Sequence, residues 1–316
     1  MIRNIQKNIS ALKQAIKLNK YNEQLLINQG YLLSIEFSKA NKISCLSTVE
    51  WKIFSQWGDD GILDWLIHNL PGISQKFIEF GVEDYRESNT RFLLQKRNWS
   101  GLVIDGSLKH ISNIKKQEIC WKYSLKPVHA FISSENINEL ISLADFDGEI
   151  GILSIDIDGN DYWVWEAITT VNPIITVVEF NATFGNIHAI SIPYNPSFIR
   201  QKAHFSNQYY GASLPAFNFL AEKKGYTFIG TNSSGVNAYY IRNDWAINVV
   251  PKIDLIRSFP SAFSDHRLKD GKLTFERGSD RLNLIKHLPV VDVKNLETLC
   301  LSDYSNFYEN DWLDKS

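Results

Sequence analysis

Cysteine is scarce in this chain. Only Cys45, Cys120 and Cys300 occur in 316 residues, and no two of them lie within a CxxC or a Cys/His cluster. That excludes a disulfide framework and a structural zinc site, and it points to a reducing, cytoplasmic setting. Positive charge is not in excess: 33 Lys and Arg against 35 Asp and Glu give a net charge of −2. No basic surplus is available to neutralise a phosphate backbone, so a general nucleic-acid binder is excluded. No apolar run reaches the roughly 18 residues of a membrane span. The N-terminal stretch is broken by polar residues at every turn and has no apolar centre of the kind a secretory signal needs.

What is present is an ordinary globular composition, 44% hydrophobic and 22% charged. The length suggests about two domains, or one large domain with an appendage. In residues 2–40, Ile2, Ile5, Ile9, Leu12 and Ile16 step by three and four, a helical stripe that needs a partner. Leu25, Leu26, Leu32 and Leu33 resume it. Packing on the main domain, or on a second copy in a homo-oligomer, is the expectation.

From Lys76 the texture alternates. Strands are expected at 76–82, 101–107, 128–132, 150–158 and 174–181, with helices at 86–97, 108–118, 136–144 and 161–171. Continuous apolar strands between helices indicate a parallel sheet covered on both faces. A polar and aromatic loop at about 182–210 follows, then a helix at 213–224 stopped by Gly225. Two runs, 226–233 and 237–244, are separated by a short turn and read as an antiparallel pair. The expected α/β architecture is therefore a doubly wound seven-stranded sheet of five parallel strands plus a C-terminal antiparallel hairpin. Residues 1–50 form an N-terminal helical extension, 51–245 the main domain, and 246–316 an irregular tail packing on it.

Ligands of such sheets bind at the carboxyl ends of the strands. Here those ends are acidic: Glu79 and Glu83 after the first strand, Asp105 after the second, Asp156, Asp158 and Asp161 after the fourth, Glu179 and Asn181 after the fifth. The first turn keeps one glycine, Gly81, and carries Glu83, Asp84 and Glu87 where a pyrophosphate would lie. Those carboxylates would repel it, so NAD and FAD are disfavoured. A cationic cofactor without phosphate suits the site. S-adenosylmethionine (SAM) is one, and Asp105 can accept from both of its ribose hydroxyls while Gly81 lets the backbone approach.

FIEFGVEDYRESNTRFL, GLVIDGS, ILSIDIDGNDYWVWEAI and VVEFNATFG, taken in order, resemble the motifs of class I SAM-dependent methyltransferases, and most nearly their FkbM-like group. The resemblance covers about residues 54–244. It implies a Rossmann-like fold and methyl transfer to a hydroxyl of a sugar, as a nucleotide sugar or surface-glycan precursor. N- or phosphoramidate methylation and a non-catalytic SAM-fold binding protein are the alternatives. Gln56, Glu79, Gly81, Glu83, Asn89, Asp105, Gly106, Ser107 and Asp156 are the cofactor-binding candidates, with Asp60 beside Gln56 either at the pocket border or in a turn and helix cap. The first motif departs from the pattern: it lacks the usual second glycine and carries Glu83 and Asp84.

Asp156, Asp158, Glu179 and Asn181 are hard oxygen ligands that could gather around Mg²⁺, an arrangement similar to that of catechol O-methyltransferase. The competing reading is helix capping, which suits Asp161 best. Asp156, Asp158 and His204 are the candidate catalytic residues. His188 and His204 sit in the loop after the fifth strand, where either a general base or plain polar surface is possible. Tyr194, Tyr209 and Tyr210 there could stack on a ligand or anchor the loop. A small-molecule or glycan acceptor is the expected partner.

Overall fold

The computed structural model describes residues 2–261, 266–276, 278 and 280–313, with the side chains of residues 2–13, 15–17, 19, 20 and 313 outside the description. The strands are β1 (Lys76–Phe80), β2 (Ser100–Asp105), β3 (Leu125–His129), β4 (Gly148–Ile155), β5 (Val171–Glu179), β6 (Ile190–Ser191), β7 (Tyr226–Thr231), β8 (Asn237–Arg242), β9 (Pro289–Asp292) and β10 (Thr298–Cys300). Seven form one sheet in the order β3-β2-β1-β4-β5-β8-β7. Pairing is parallel from β3 through β5, and β8 runs antiparallel to both neighbours. The chain order reverses between β1 and β4, which opens the crevice where doubly wound sheets take ligands.

The helices are α1 (Ile2–Phe37), α2 (Asp59–Asn69), α3 (Arg91–Arg97), α4 (Leu108–Lys116), α5 (Ile119–Lys122), α6 (Ile137–Leu143), α7 (Asp161–Ala167), α8 (Arg200–Ala203) and α9 (Leu214–Lys224), followed by short turns in the tail. Alternation along each strand splits the core in two. Ile78, Leu102, Leu153 and Val178 pack with Ile141 of α6, Trp165 of α7 and Phe217 of α9. Phe77, Val103, Ile152 and Val177 pack on the other face with Leu66 of α2, Leu94 of α3 and Ile114 of α4. Burying each such side chain contributes about 1.5–3 kcal/mol before entropy is counted.

The expected strands and helices are all present, with shifted ends. The third strand begins at Leu125, three residues early, because this half-exposed edge strand tolerates Lys126 and Pro127. The helix expected from residue 86 starts at Arg91, because Glu83 and Tyr85 take positive φ and the chain loops first. The backbone of α1 is helical, but the side chains of Ile2, Ile5, Ile9, Leu12 and Ile16 lie outside the described residues. Further along, Leu25, Leu26 and Leu32 are exposed and Leu33 half-buried. The buried face is instead Ile27 and Ser34, against Trp51, Phe54 and Phe92 and the Arg97 guanidinium.

The tail is more ordered than its sequence suggests. β9 pairs antiparallel with β6 and with β10, making a second, three-stranded sheet. Leu282, Ile285, Val290, Leu301 and Phe307 close over Phe184, Ile190, Ile192 and Tyr209 in a separate small core. The tail thereby grips the loop that follows β5.

Candidate active site

A cavity of about 480 Å³ opens at the carboxyl ends of β1, β2, β4 and β5. Its floor is the switch between β1 and β4. Gly81 there has φ +70°, and a Cβ on it would lie 1.6 Å from the Asp156 carbonyl oxygen. Only glycine fits, and the reason is the close approach of β1 to β4.

The half beside β1 and β2 contains most of the cofactor candidates. Gln56, Glu79, Gly81, Glu83, Asn89, Asp105, Gly106 and Ser107 all line the cavity. Glu79 is buried and engaged: Oε2 accepts from Ser88 Oγ (2.6 Å) and Thr90 Oγ1 (2.5 Å), and Oε1 accepts from Asn89 N (2.8 Å). Burial pushes its carboxyl up against these hydrogen bonds. Its work is to shape the 83–90 loop, which presents Asn89, itself donating to Ser154 Oγ at 3.2 Å. Asp105 Oδ2 accepts from Glu83 N (2.9 Å) and Oδ1 from Ser107 N (2.7 Å). Each carboxylate oxygen accepts more than one hydrogen bond, so capacity for a ligand remains. Ser107 caps α4, accepting from His110 N. Asp60 Oδ2 accepts from the backbone of Ile53, Phe54 and Ser55, and from Ser55 Oγ, so it organises the turn. Gln56 alone of that pair reaches the cavity.

The half beside β4 and β5 gathers Asp156, Asp158 and Glu179, which offer carboxylate oxygens all within 4.8 Å of one another. Burial, then the charges of Asp158 and Asp161, hold the Asp156 carboxyl well above the usual range. Burial, then Asp156 and Asp158, do the same to Glu179. Asp158, at φ +56°, leans outward and is bound by Arg200 Nη1 at 2.5 Å. Asp161 is fully buried and accepts from Ile157 N (2.8 Å) and Gly159 N (2.9 Å), fixing the loop before α7.

Two candidates belong elsewhere. Asn181 is expected among the metal ligands, but its side chain is spent on the loop. Nδ2 donates to the carbonyls of Gln208 and Tyr210, and Oδ1 accepts from Thr183 N. His204 is expected as a base, yet it is not among the residues lining the cavity. It follows α8, binds Ser206 Oγ at 2.7 Å and faces His287, with ring centres 5.9 Å apart. Tyr194 and Tyr209 anchor the loop, through Glu135 and the Pro289 carbonyl respectively.

The sequence gives no sign of Arg200. It opens the single turn of α8, 21 residues beyond Glu179, with no motif around it. Its guanidinium stacks on Tyr210, 3.7 Å from the ring centre, and Nε donates to the Asn207 carbonyl. Tyr210 and Phe198 complete that wall.

The carboxylate triad fits a hard divalent cation. Glu179 Oε2 is buried with no partner, and three oxygen donors within this radius suit Mg²⁺.

No family model matches the sequence, and no curated protein matches it. Among solved structures, the N-terminal domain of EvdMO1 with SAH bound aligns at TM-score 0.38 and 10% identity, over 60% of this chain and 81% of that one. An S-adenosylmethionine-dependent methyltransferase from Clostridium acetobutylicum gives 0.37 and 8%, over 58% and 90%. PKMT2 from Rickettsia typhi in complex with AdoHcy gives 0.37 and 11%, over 56% and 52%.

Proposed function

We propose that this chain is a SAM-dependent O-methyltransferase acting on a hydroxyl of a sugar. The observation that carries the reading is the placement of Asp105. It ends the strand next to Gly81, faces the cavity, and keeps hydrogen-bonding capacity for a ribose diol in a pocket too acidic for pyrophosphate. The sugar acceptor comes from the resemblance to the FkbM-like group. No helix among the described residues is long and apolar enough to cross a membrane.

When bound, SAM supplies an electrophilic methyl on its sulfonium. Asp105 would hold the ribose, and the side of the cavity at Asp156 would meet the acceptor. The acceptor oxygen forms the new C–O bond as the C–S bond breaks, and sulfur keeps the electron pair. Asp156 or Asp158 takes the hydroxyl proton. The wall of Phe198, Arg200 and Tyr210 orients the acceptor for in-line attack. Asp156, Asp158 and Glu179 would hold Mg²⁺, whose chemistry is to lower the acceptor hydroxyl's pKa.

Calorimetry with SAH, followed by transfer of labelled methyl from SAM to a panel of glycosides and nucleotide sugars, tests this. SAH binding with transfer to a hydroxyl is the expected result. Absence of SAH binding would leave a scaffold protein, and transfer to an amine would make it an N-methyltransferase.

A further inference from the structure

The cavity half beside β4 and β5 contains two buried polar atoms with no protein partner, Glu179 Oε2 and Arg200 Nη2. Both residues line the cavity, and each is only 9% exposed. Their demands are complementary. Glu179 Oε2 accepts, and so calls for an O–H, an N–H or a cation. Arg200 Nη2 donates, and so calls for an oxygen. A hydroxyl can do either job, and two neighbouring hydroxyls do both at once.

Charge narrows the class. Asp156, Asp158 and Glu179 face the single guanidinium of Arg200, a formal total of 1 − 3 = −2. A divalent ion on the unprotonated triad brings it to 0. No state is positive. Arg200 also has little left to offer an anion, because Nη1 is taken by Asp158 and Nε by the Asn207 carbonyl. The two-armed grip that guanidinium gives phosphate is therefore absent. The other half adds Glu79, Glu83, Glu87 and Asp105, with His110 the only other potentially basic side chain among the described lining residues.

We infer that the part of the acceptor entering this cavity is an uncharged polyol, with neighbouring hydroxyls meeting Glu179 Oε2 and Arg200 Nη2, and that phosphate- and carboxylate-bearing acceptors are rejected. This rests on the methyl-transfer reading and sharpens it. A sugar methylated here would therefore carry no nucleotide diphosphate inside the cavity.

The test uses the full chain saturated with SAH. Saturation-transfer NMR measures the affinity of neutral methyl glycosides (gluco, galacto, manno, rhamno and fuco), of glucuronate and of glucose 1-phosphate, with and without Mg²⁺. At least one neutral glycoside should bind about 10-fold more tightly than either anion in both conditions. Glu179→Gln and Arg200→Gln should each weaken that glycoside about 5-fold or more, with SAH affinity unchanged. Tighter binding of glucose 1-phosphate or glucuronate, binding by no neutral glycoside, or indifference to both substitutions would overturn the inference. Loss of SAH binding by the unmodified chain would instead sink the methyltransferase reading, so the two failures are distinct.

Discussion

Arg200 and Asp158 join at 2.5 Å across the mouth of the cavity, one from the loop after β5 and the other from the end of β4. The pair ties the wall of Phe198, Arg200 and Tyr210 to the carboxylate triad. It also sets two cations in competition for Asp158, the guanidinium and any metal the triad takes.

That competition makes the metal testable. EDTA should lower methyl transfer and Mg²⁺ should restore it. Asp156→Asn should cost more activity than Asp161→Asn, since Asp161 is committed to Ile157 N and Gly159 N. Mn²⁺ titration followed by electron paramagnetic resonance gives an independent reading, and Asp156→Asn should weaken it. Full activity in EDTA would remove the metal and leave Asp156 or Asp158 as the base.

On the cofactor side, Asp105→Ala should weaken SAH binding by about 1–3 kcal/mol, because the ribose diol loses a charged acceptor. Calorimetry reads this directly. The same substitution also frees Glu83 N and Ser107 N, so thermal stability is followed in parallel. An unchanged SAH affinity would take Asp105 off the ribose.

Gly81→Ala should destabilise the fold by about 2–5 kcal/mol, combining a left-handed residue with overpacking. The new methyl would lie on the Asp156 carbonyl. Urea unfolding measures it, and a loss below 1 kcal/mol, far under that estimate, would show that β1 and β4 can part cheaply.

The histidines beside α8 make stability depend on pH. Burial, with His287, His266 and Lys269, holds His204 below its ordinary value. Burial does the same to His266, outweighing the Glu276 carboxylate 3.3 Å away and helped by Arg281, and His266 Nε2 is buried without a partner. The unfolded chain titrates near pH 6.5, at about the ordinary histidine value. Below that pH it takes up protons the folded chain declines, so stability is lost as pH falls. The buried carboxyls Asp60, Asp156, Asp161 and Glu179, raised in the folded chain, act with the opposite sign over this range. The histidine share is therefore read as a difference: from pH 7.5 to 5.5 the melting temperature of a His204→Gln/His266→Asn double variant should rise relative to that of the parent chain. An equal change in both proteins would assign the effect to other groups.

Much of this was legible in the sequence, and the reasons are local. β1, β2, β4 and β5 are continuous apolar runs, and a parallel sheet forces their acidic ends to one edge. Asp105, Asp156, Asp158 and Glu179 could therefore be placed together before any coordinates. What escaped depends on contacts distant in sequence. Arg200 enters the site only because its loop folds back under Tyr210. Asn181 matches a ligand by type, yet the Gln208 and Tyr210 carbonyls claim its amide. His204 lies four residues from Arg200, and the end of α8 turns it toward His287 instead. The leucines of α1 follow a helical period, but the face with Ile27 and Ser34 wins the core.

The pairing of β6 with β9 has a consequence for how the protein is made. Ser191 meets Val291 across 100 residues of chain, so a ribosome must synthesise past Val291 before the wall of Phe198, Arg200 and Tyr210 has its support. The crevice between β1, β2 and β4 needs nothing beyond the main sheet and can form earlier. A nascent chain thus acquires the half of the cavity beside β1 and β2 before the half beside β4 and β5 has its finished wall.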